Sequence, residues 1–168
     1  MSLSSHAKIN LTLKVNYKNK NNLHEIQSYF CLIDLADKIK IKKIKNRKDK
    51  ISFKGPFAKL VNKSNNSILS LFRLLRKLGL ISNFYSVTII KNIPVFAGLG
   101  GGAANVATIL KYLFKRRISM SLLNQVEDDV GSDLKLFFYN RGFMKNLGHV
   151  INIKKTHKLF FLLIQPSV

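Results

Sequence analysis

The stretch VFAGLGGGAANVATIL, Val95 to Leu110, puts four of the nine glycines into the five positions Gly98–Gly102, directly ahead of a helical pattern. Without Cβ atoms, consecutive backbone N–H groups can turn toward one concave spot, and a helix N-terminus adds partial positive charge. That combination suits a phosphate group. A tight turn permitting close packing is the structural alternative. The Walker A pattern is excluded, because it ends in Gly-Lys-Ser/Thr and GLGGGAAN does not. The dinucleotide fingerprint is matched as Gly98-x-Gly100-x-x-Ala103, but that motif follows its strand directly and places an acid about 20 residues on. Here loop residues intervene after Lys91, and the next acid is Glu127. Two other places carry polar chemistry. Lys8 and Asn10 sit two apart in a strand pattern and therefore point together. Asp133 follows Gly131-Ser132 and reads locally as a turn or cap residue.

These groups need elements to hold them. AKINLTLKVNY (Ala7–Tyr17) alternates with period two, predicting one strand with Ile9, Leu11, Leu13 and Val15 on one face and Lys8, Asn10 and Thr12 on the other. KNKNN (Lys18–Asn22) is a polar loop, after which Ile26–Ile33, Lys38–Ile44 and Ile51–Phe53 read as strands. NNSILSLFRLLRKLGL (Asn65–Leu80) sets Ile68, Leu71, Phe72, Leu75 and Leu78 at helical spacing, behind a capping Asn or Ser and ahead of a terminating Gly79. FYSVTIIK (Phe84–Lys91) is a β-branched strand, and NVATILKYLFKRR (Asn105–Arg117) returns to helical period. A further helix is expected from Ser119 or Ser121 to Glu127–Asp129. The segments LKLFFYN, GFMKNL, HVINI and KLFFLLIQ read mostly as strand.

At 168 residues and 46% apolar content the chain is long enough to bury a core, and its length favours one domain. The single cysteine, Cys31, cannot form an intramolecular disulfide and excludes a four-cysteine metal site. No apolar run reaches the roughly 18 residues of a membrane span, and the N-terminus lacks a signal-peptide pattern, so a cytoplasmic location is expected. Lys and Arg number 29 against 8 Asp and Glu, a formal net charge of +21. Such a field attracts nucleic acid, anionic membrane and phosphorylated small molecules alike. From Lys38 to Lys63 there are eleven basic residues and one acid, Asp49. The opening KIKIKKIK (Lys38–Lys45) reads as a half-buried strand with a solvated face, or as an RNA-binding stripe lacking the aromatic rings on which bases stack.

IPVFAGLGGGAANVATIL resembles the P-x-x-x-G-L-G-G-G-S-S-N-A-A loop of the GHMP kinases. Within that superfamily the chain looks most like the 4-diphosphocytidyl-2-C-methyl-D-erythritol kinases of non-mevalonate isoprenoid biosynthesis. AKINLTLKV resembles that family's A-K-[IL]-N-L strand, and LHEIQSYFCLIDLADKIKI its G-Y-H-x-[IL]-x-[ST] segment with the following L-x-D. VGSDLKLFF resembles G-A-D-V-P-F-F, and LFFLLIQPSV the strand ending in N-P. The resemblance implies an α+β fold, a mixed β-sheet with helices packed on one side, as in the N-terminal domain of GHMP kinases. It implies ATP with Mg2+, and phosphorylation of a hydroxyl on a cytidine-diphosphate-linked polyol. Lys8 and Asp133 match the catalytic pair; Gly98, Leu99, Gly100, Gly101, Gly102 and Ala103 match the ATP-phosphate loop; Asn10 and His24 match substrate-pocket positions. The chain departs from the pattern at Ala103 and Ala104, where the family has serines, at Leu23 for a tyrosine, at Lys135 for a proline, and at NLGH (Asn146–His149) for G-x-G-E. Residues 1–168 then constitute the N-terminal-type domain, and the family's second domain is expected to be absent. Two alternatives follow: a truncated, non-catalytic relic, or a basic RNA-binding module. An expected consequence is an uncovered apolar surface, serving self-association or a complementary C-terminal chain.

Overall fold

One strand organises the molecule. In a computed structural model that describes residues 2–18, 24–115, 117–146, 149–155 and 158–164, β3 (His24–Ile44) runs for 21 residues and pairs with four other strands. β1 (Ser2–Asn10) and β2 (Lys14–Lys18) pair antiparallel with it. So do β5 (Phe84–Ile90) and β6 (Arg141–Asn146). β4 (Lys50–Lys54) joins β5 in parallel, and β7 (His149–Asn152) closes the other edge against β6, making the sheet mixed. The expected break between Ile33 and Lys38 is a bulge instead: His6 pairs with Ala36 but Lys8 with Leu32, so three β3 residues stand opposite Ala7 alone. A bulge of this kind twists a strand without ending it.

The predicted strand Ala7–Tyr17 is divided between β1 and β2, with residues 11–13 as a link. Its apolar face is also not the buried one. Leu11, Leu13 and Val15 are exposed, whereas Lys8 is 4% exposed. The alternation grouped Lys8 with Asn10, whose side chains do meet at 3.2 Å, but of the polar set only Lys8 is buried, while Asn10 and Thr12 are exposed.

Three helices pack on one face of the sheet. α1 (Ser67–Lys77) is capped by Asn66, whose side chain accepts from the Ile68 and Leu69 N–H groups, both at 3.2 Å. Gly79 lies just beyond, at φ +67°. Ile68, Leu71, Phe72 and Leu75 form the buried face of α1, which meets Ile39, Val87 and Ile89 from the sheet and Val106, Ile109 and Leu110 from α2. α2 spans Gly101–Phe114 and starts four residues ahead of the predicted Asn105, inside the glycine run. α3 (Met120–Val130) is capped by Ser119, whose hydroxyl accepts from Leu122 N–H at 3.2 Å. The strand reading of LKLFFYN is overturned: Leu134–Phe138 is a 3-10 turn whose Leu134, Leu136 and Phe137 are buried. Its apolar run is explained by burial on more than one side, which a strand period cannot separate from a helical one. Residues 158–164 likewise form no strand, and Phe160, Leu162 and Ile164 are more than 80% exposed. The predictions on residues 19–23, on 147–148 within NLGH and on 165–168 lie outside the described residues.

Candidate functional site

The glycine loop is fixed from two sides. β1 holds it through the Lys8 N–H, which donates to the Leu99 carbonyl at 3.1 Å. The other hold is a carboxylate at the inward-facing position 37 of β3. Asp37 is fully buried and accepts from the backbone N–H groups of Asn92 (2.8 Å) and Ile93 (2.9 Å), from the Asn105 amide at 3.0 Å and from the Lys91 ammonium. One side chain thus ties the loop entry, the first turns of α2 and a buried cation to the sheet. A buried carboxylate is tolerable because all its lone pairs are engaged.

Within the loop, Gly100 caps α2 in the left-handed region at φ +69°. A Cβ there would stand 2.6 Å from Cζ of Phe137 and 3.4 Å from Cγ of Lys8. Gly101 is similarly confined: its Cβ would meet Ile93 at 3.1 Å and the Lys91 ammonium at 3.2 Å. The glycines therefore permit both a turn and a close approach. The first intrahelical bond runs from Ala104 N–H to Gly100 O at 2.9 Å, and no side chain caps the helix. The N–H groups of Gly101, Gly102 and Ala103 are thus left at the open helix end, where the backbone dipoles sum to about half a positive charge.

All of Gly98–Ala103 line a cleft of about 600 Å³. Asn62, Asn65 and Asn66 border it on one side and Gly131, Ser132 and Asp133 on another. Lys91 and Asn105 contribute to the floor, and the Asn105 Oδ1 is buried without a hydrogen-bond partner. Phe96 stands at the rim, 93% exposed and held at φ +65°.

Lys8 and Asp133, 125 positions apart, meet beside this cleft with Nζ 3.2 Å from Oδ2. The Lys8 ammonium also donates to Asn10 Oδ1 at 3.2 Å. The lysine side chain is 6% exposed and the aspartate side chain 32%, so the carboxylate forms the accessible end of the pair. Asp133 sits at the N-terminal edge of the 3-10 turn Leu134–Phe138, and its carbonyl accepts from Leu136 N–H at 3.1 Å. His24 begins β3 by its backbone; its side chain lies outside the described residues, so it is not placed with the others.

Lys135, at the proline position of the family pattern, pairs with Glu127 at 2.5 Å behind Asp133. Burial pushes the Glu127 carboxyl above its usual 4.5, with Lys135 pulling it down and Asp128 and Asp133 adding to the rise. Among the described residues no group of three or more His, Cys, Asp or Glu could hold a metal ion by itself. No described helix is long and apolar enough to cross a membrane.

The sequence reading did not single out Asp37, Lys91, Asn105 or Phe137. A signal existed for Asp37: positions 37, 39 and 41 share the inward parity of β3, and an acid among inward isoleucines requires a partner. Lys91 and Asn105 flank the glycine loop but carry no period that marks them.

The model of the GHMP kinases N terminal domain matches residues 66–131. The 4-diphosphocytidyl-2-C-methyl-D-erythritol kinase of Pelagibacter ubique (strain HTCC1062) is 32% identical over 170 residues, covering 98% of this chain and 60% of that protein. The enzyme of the same name from Francisella philomiragia subsp. philomiragia is 30% identical over 169 residues, again with 98% and 60% coverage. The chain thus spans about 60% of the length of these curated relatives. A crystal structure of 4-(cytidine 5'-diphospho)-2C-methyl-D-erythritol kinase superposes with a TM-score of 0.65 at 23% identity, covering 91% of this chain and 55% of that one. The mixed sheet with its helices on one face matches the fold of that solved structure, and the glycine loop lies within the residues matched by the GHMP kinases N terminal domain.

Proposed function

We propose that this chain is a phosphotransferase that moves a phosphoryl group from ATP to a hydroxyl of 4-diphosphocytidyl-2-C-methyl-D-erythritol, a cytidine-diphosphate-linked polyol, in the cytoplasm. The observation that carries this reading is the Lys8–Asp133 pair, 3.2 Å apart, beside an uncapped helix end in a cleft of about 600 Å³.

The residues present fit a triphosphate. Gly100 and Gly101 keep the helix end open by having no Cβ, and three backbone N–H groups there have no intrahelical acceptor. These donors, with the helix dipole, would take phosphate oxygens. Phe96 offers an exposed ring at the rim on which a purine can stack. For magnesium, Ala103 and Ala104 supply no hydroxyl, and the side-chain oxygens on the cleft lining are the Ser67 and Ser132 hydroxyls, the asparagine amides and the Asp133 carboxylate. Magnesium commonly binds through one or two carboxylates plus substrate phosphates and water, so this donor set is sufficient. Bound Mg·ATP would supply the transferable phosphoryl group.

At the acceptor side, the Asp133 carboxylate accepts the hydroxyl proton, and the Lys8 ammonium orients that oxygen and stabilises its developing negative charge. A loose phosphoryl-transfer transition state needs positioning and charge neutralisation more than a strong base, so a carboxylate accepting the proton is adequate. Asn10 holds the ammonium from the other side, and His24 is assigned to the acceptor pocket with it. In this reading residues 1–168 act as one N-terminal-type domain, and protein beyond the matched 60% of the relatives completes the acceptor side. The exposed segment 159–164 is the surface such a partner, or a second copy of the chain, would cover.

The opposing reading, a non-catalytic descendant, rests on Ala103 and Ala104. Titration calorimetry with Mg·ATP against inorganic triphosphate separates them. Tighter binding of ATP supports a nucleotide site, whereas equal or absent binding removes it. Asp133→Asn should then abolish transfer to the cytidine-linked acceptor with little change in ATP affinity. Wild-type turnover in that variant overturns the assignment.

A further inference from the structure

The face of the sheet opposite the helices carries a lattice of lysines and hydroxyls. The register arranges it in three cross-strand rows. Ser2, Lys40, Thr88 and Ser52 form one, Ser4, Lys38, Ile90 and Lys54 the next, and Lys42, Ser86 and Lys50 the third. All five lysines are exposed, while the intervening Ile39, Val87 and Ile89 point into the core. Side chains two apart on a strand are separated by about 7 Å, and neighbouring strands by about 4.8 Å, so Lys38, Lys40 and Lys42 form a straight line of charge. Lys50 and Lys54 form a second line two strands away, roughly 10 Å distant.

Nothing on this face neutralises it. The described ion pairs, Lys8–Asp133, Arg76–Asp49, Lys91–Asp37 and Lys135–Glu127, use none of these five lysines. Lys38 donates to the Ser4 hydroxyl at 2.9 Å, and Ser52 and Thr88 share a hydroxyl hydrogen bond at 3.0 Å. The seven acids other than Asp49 lie outside Lys38–Lys63, and Asp49 is consumed by Arg76 through bonds of 2.8 and 2.9 Å. Repulsion among unpaired like charges in adjacent rows opposes the fold, and a bound polyanion relieves it.

We infer that this sheet face binds the phosphate backbone of a nucleic-acid duplex, independently of base sequence. Three features select that partner. The five lysines line none of the three larger clefts, so the face suits an extended polymer better than an enclosed free nucleotide. Its three lysine rows hold no aromatic ring, and Phe84 in the next row is covered by the Arg76 guanidinium at 4.5 Å, so the rows do not stack unpaired bases and contact what a duplex presents outwardly, phosphate and sugar. Within the three rows the one apolar member is Ile90, half-buried between Lys38 and Lys54, and Ile44 and Phe84 in the next row are half-buried too, so the rows offer no exposed apolar side chain to insert into a lipid surface.

The test is fluorescence anisotropy of short labelled duplexes, in DNA and RNA form and in two unrelated sequences, titrated with the wild-type chain over a range of salt. The variant Lys38→Gln/Lys40→Gln/Lys42→Gln is compared with Lys77→Gln/Lys115→Gln/Lys145→Gln, which loses the same charge from exposed positions elsewhere. Each phosphate contact contributes about 0.9 to the slope of log K against log salt for B-DNA, so the sheet variant should be shallower by roughly 2 to 3. The control should keep the wild-type slope, and both sequences should bind alike. Equal loss in the two variants, a slope unchanged in the sheet variant, or binding to anionic vesicles but not to either duplex overturns the inference. Thermal melting of both variants confirms that folded protein is compared: the control should melt near the wild type and the sheet variant, relieved of like-charge repulsion, at or above it.

Discussion

Gly100→Ala isolates the step on which the glycine loop depends. The residue lies at φ +69°, where an L side chain costs about 1–2 kcal/mol. Its added methyl would also stand 2.6 Å from Cζ and 3.1 Å from Cε2 of Phe137. That ring is 3% exposed and packed in the main core, so it cannot swing into solvent. Forcing a methyl into a filled core costs a further ~1–3 kcal/mol. The sum, about 2–5 kcal/mol, is a large part of the 5–15 kcal/mol that holds a domain together. Gly98→Ala is the matched control, because Gly98 has nearly the same φ, +70°, with nothing within 4 Å of its Cβ. It should lose only the backbone contribution, about 1–2 kcal/mol. Urea unfolding of the two variants measures the difference, and triphosphate titration of each reads the cradle directly. Gly100→Ala should lose affinity as well, since the displaced groups are Phe137 and Lys8. Equal midpoints in the two variants would refute the close-approach argument.

Three further outcomes follow from the geometry. Asp37→Asn leaves the Lys91 ammonium buried without a carboxylate and should cost about 3–5 kcal/mol in chemical denaturation, part of which Asp37→Asn/Lys91→Met restores. Because burial raises the Glu127 carboxyl above 4.5, the folded state holds that proton to higher pH than the unfolded chain. Its contribution to stability is therefore greatest below the ordinary glutamate range and declines as pH rises through the native value. The melting temperature of the wild type minus that of Glu127→Gln should fall as pH rises through that range, and a rise in this signed difference would contradict the sign. Ala103→Ser places a hydroxyl on the lining of the cleft and should tighten triphosphate binding, whereas Ala104→Ser, at a position 1% exposed and off that lining, should lower stability by about 1–3 kcal/mol without tightening it.

Elements with one apolar face and clear ends were legible: α1 from its spacing, Asn66 and Gly79; α3 from Ser119; β5 from its β-branched run. Burial against several neighbours erased that signal in Leu134–Phe138. In Leu159–Ile164 an unbroken apolar run has no alternation to read, and no strand forms. At β3 the bulge was invisible because each half is an acceptable strand alone, and the continuity comes from β1, which pairs on both sides of it. The start of α2 was misplaced for a physical reason: glycine is a poor helix former, so propensity begins the helix at Asn105, whereas the tight approach to Ile93 and Phe137 starts it at Gly101. The pairing of Lys8 with Asp133 could not be read from either local segment, since it depends on the 3-10 turn that follows Gly131.

The two halves of the candidate site respond differently to substitution. The anion cradle is backbone: free N–H groups, the dipole behind them and the absence of two Cβ atoms. Side-chain changes at positions 103 and 104 remove hydroxyls but leave that backbone in place, because the loop is held by Asp37 and by the Lys8 N–H to Leu99 O bond. Replacing the family's serines with alanines is therefore weak support for a dead site. The acceptor half is the reverse, since it consists of two side chains and disappears if either is lost. Lys8 bears the larger cost, having a nearly buried ammonium on a strand where lysines are ordinarily solvated. A buried ion pair does little for stability that apolar packing would not do as well. Its presence beside the cradle, joined to the same loop through the backbone of Lys8, therefore supports the phosphotransfer reading over the relic.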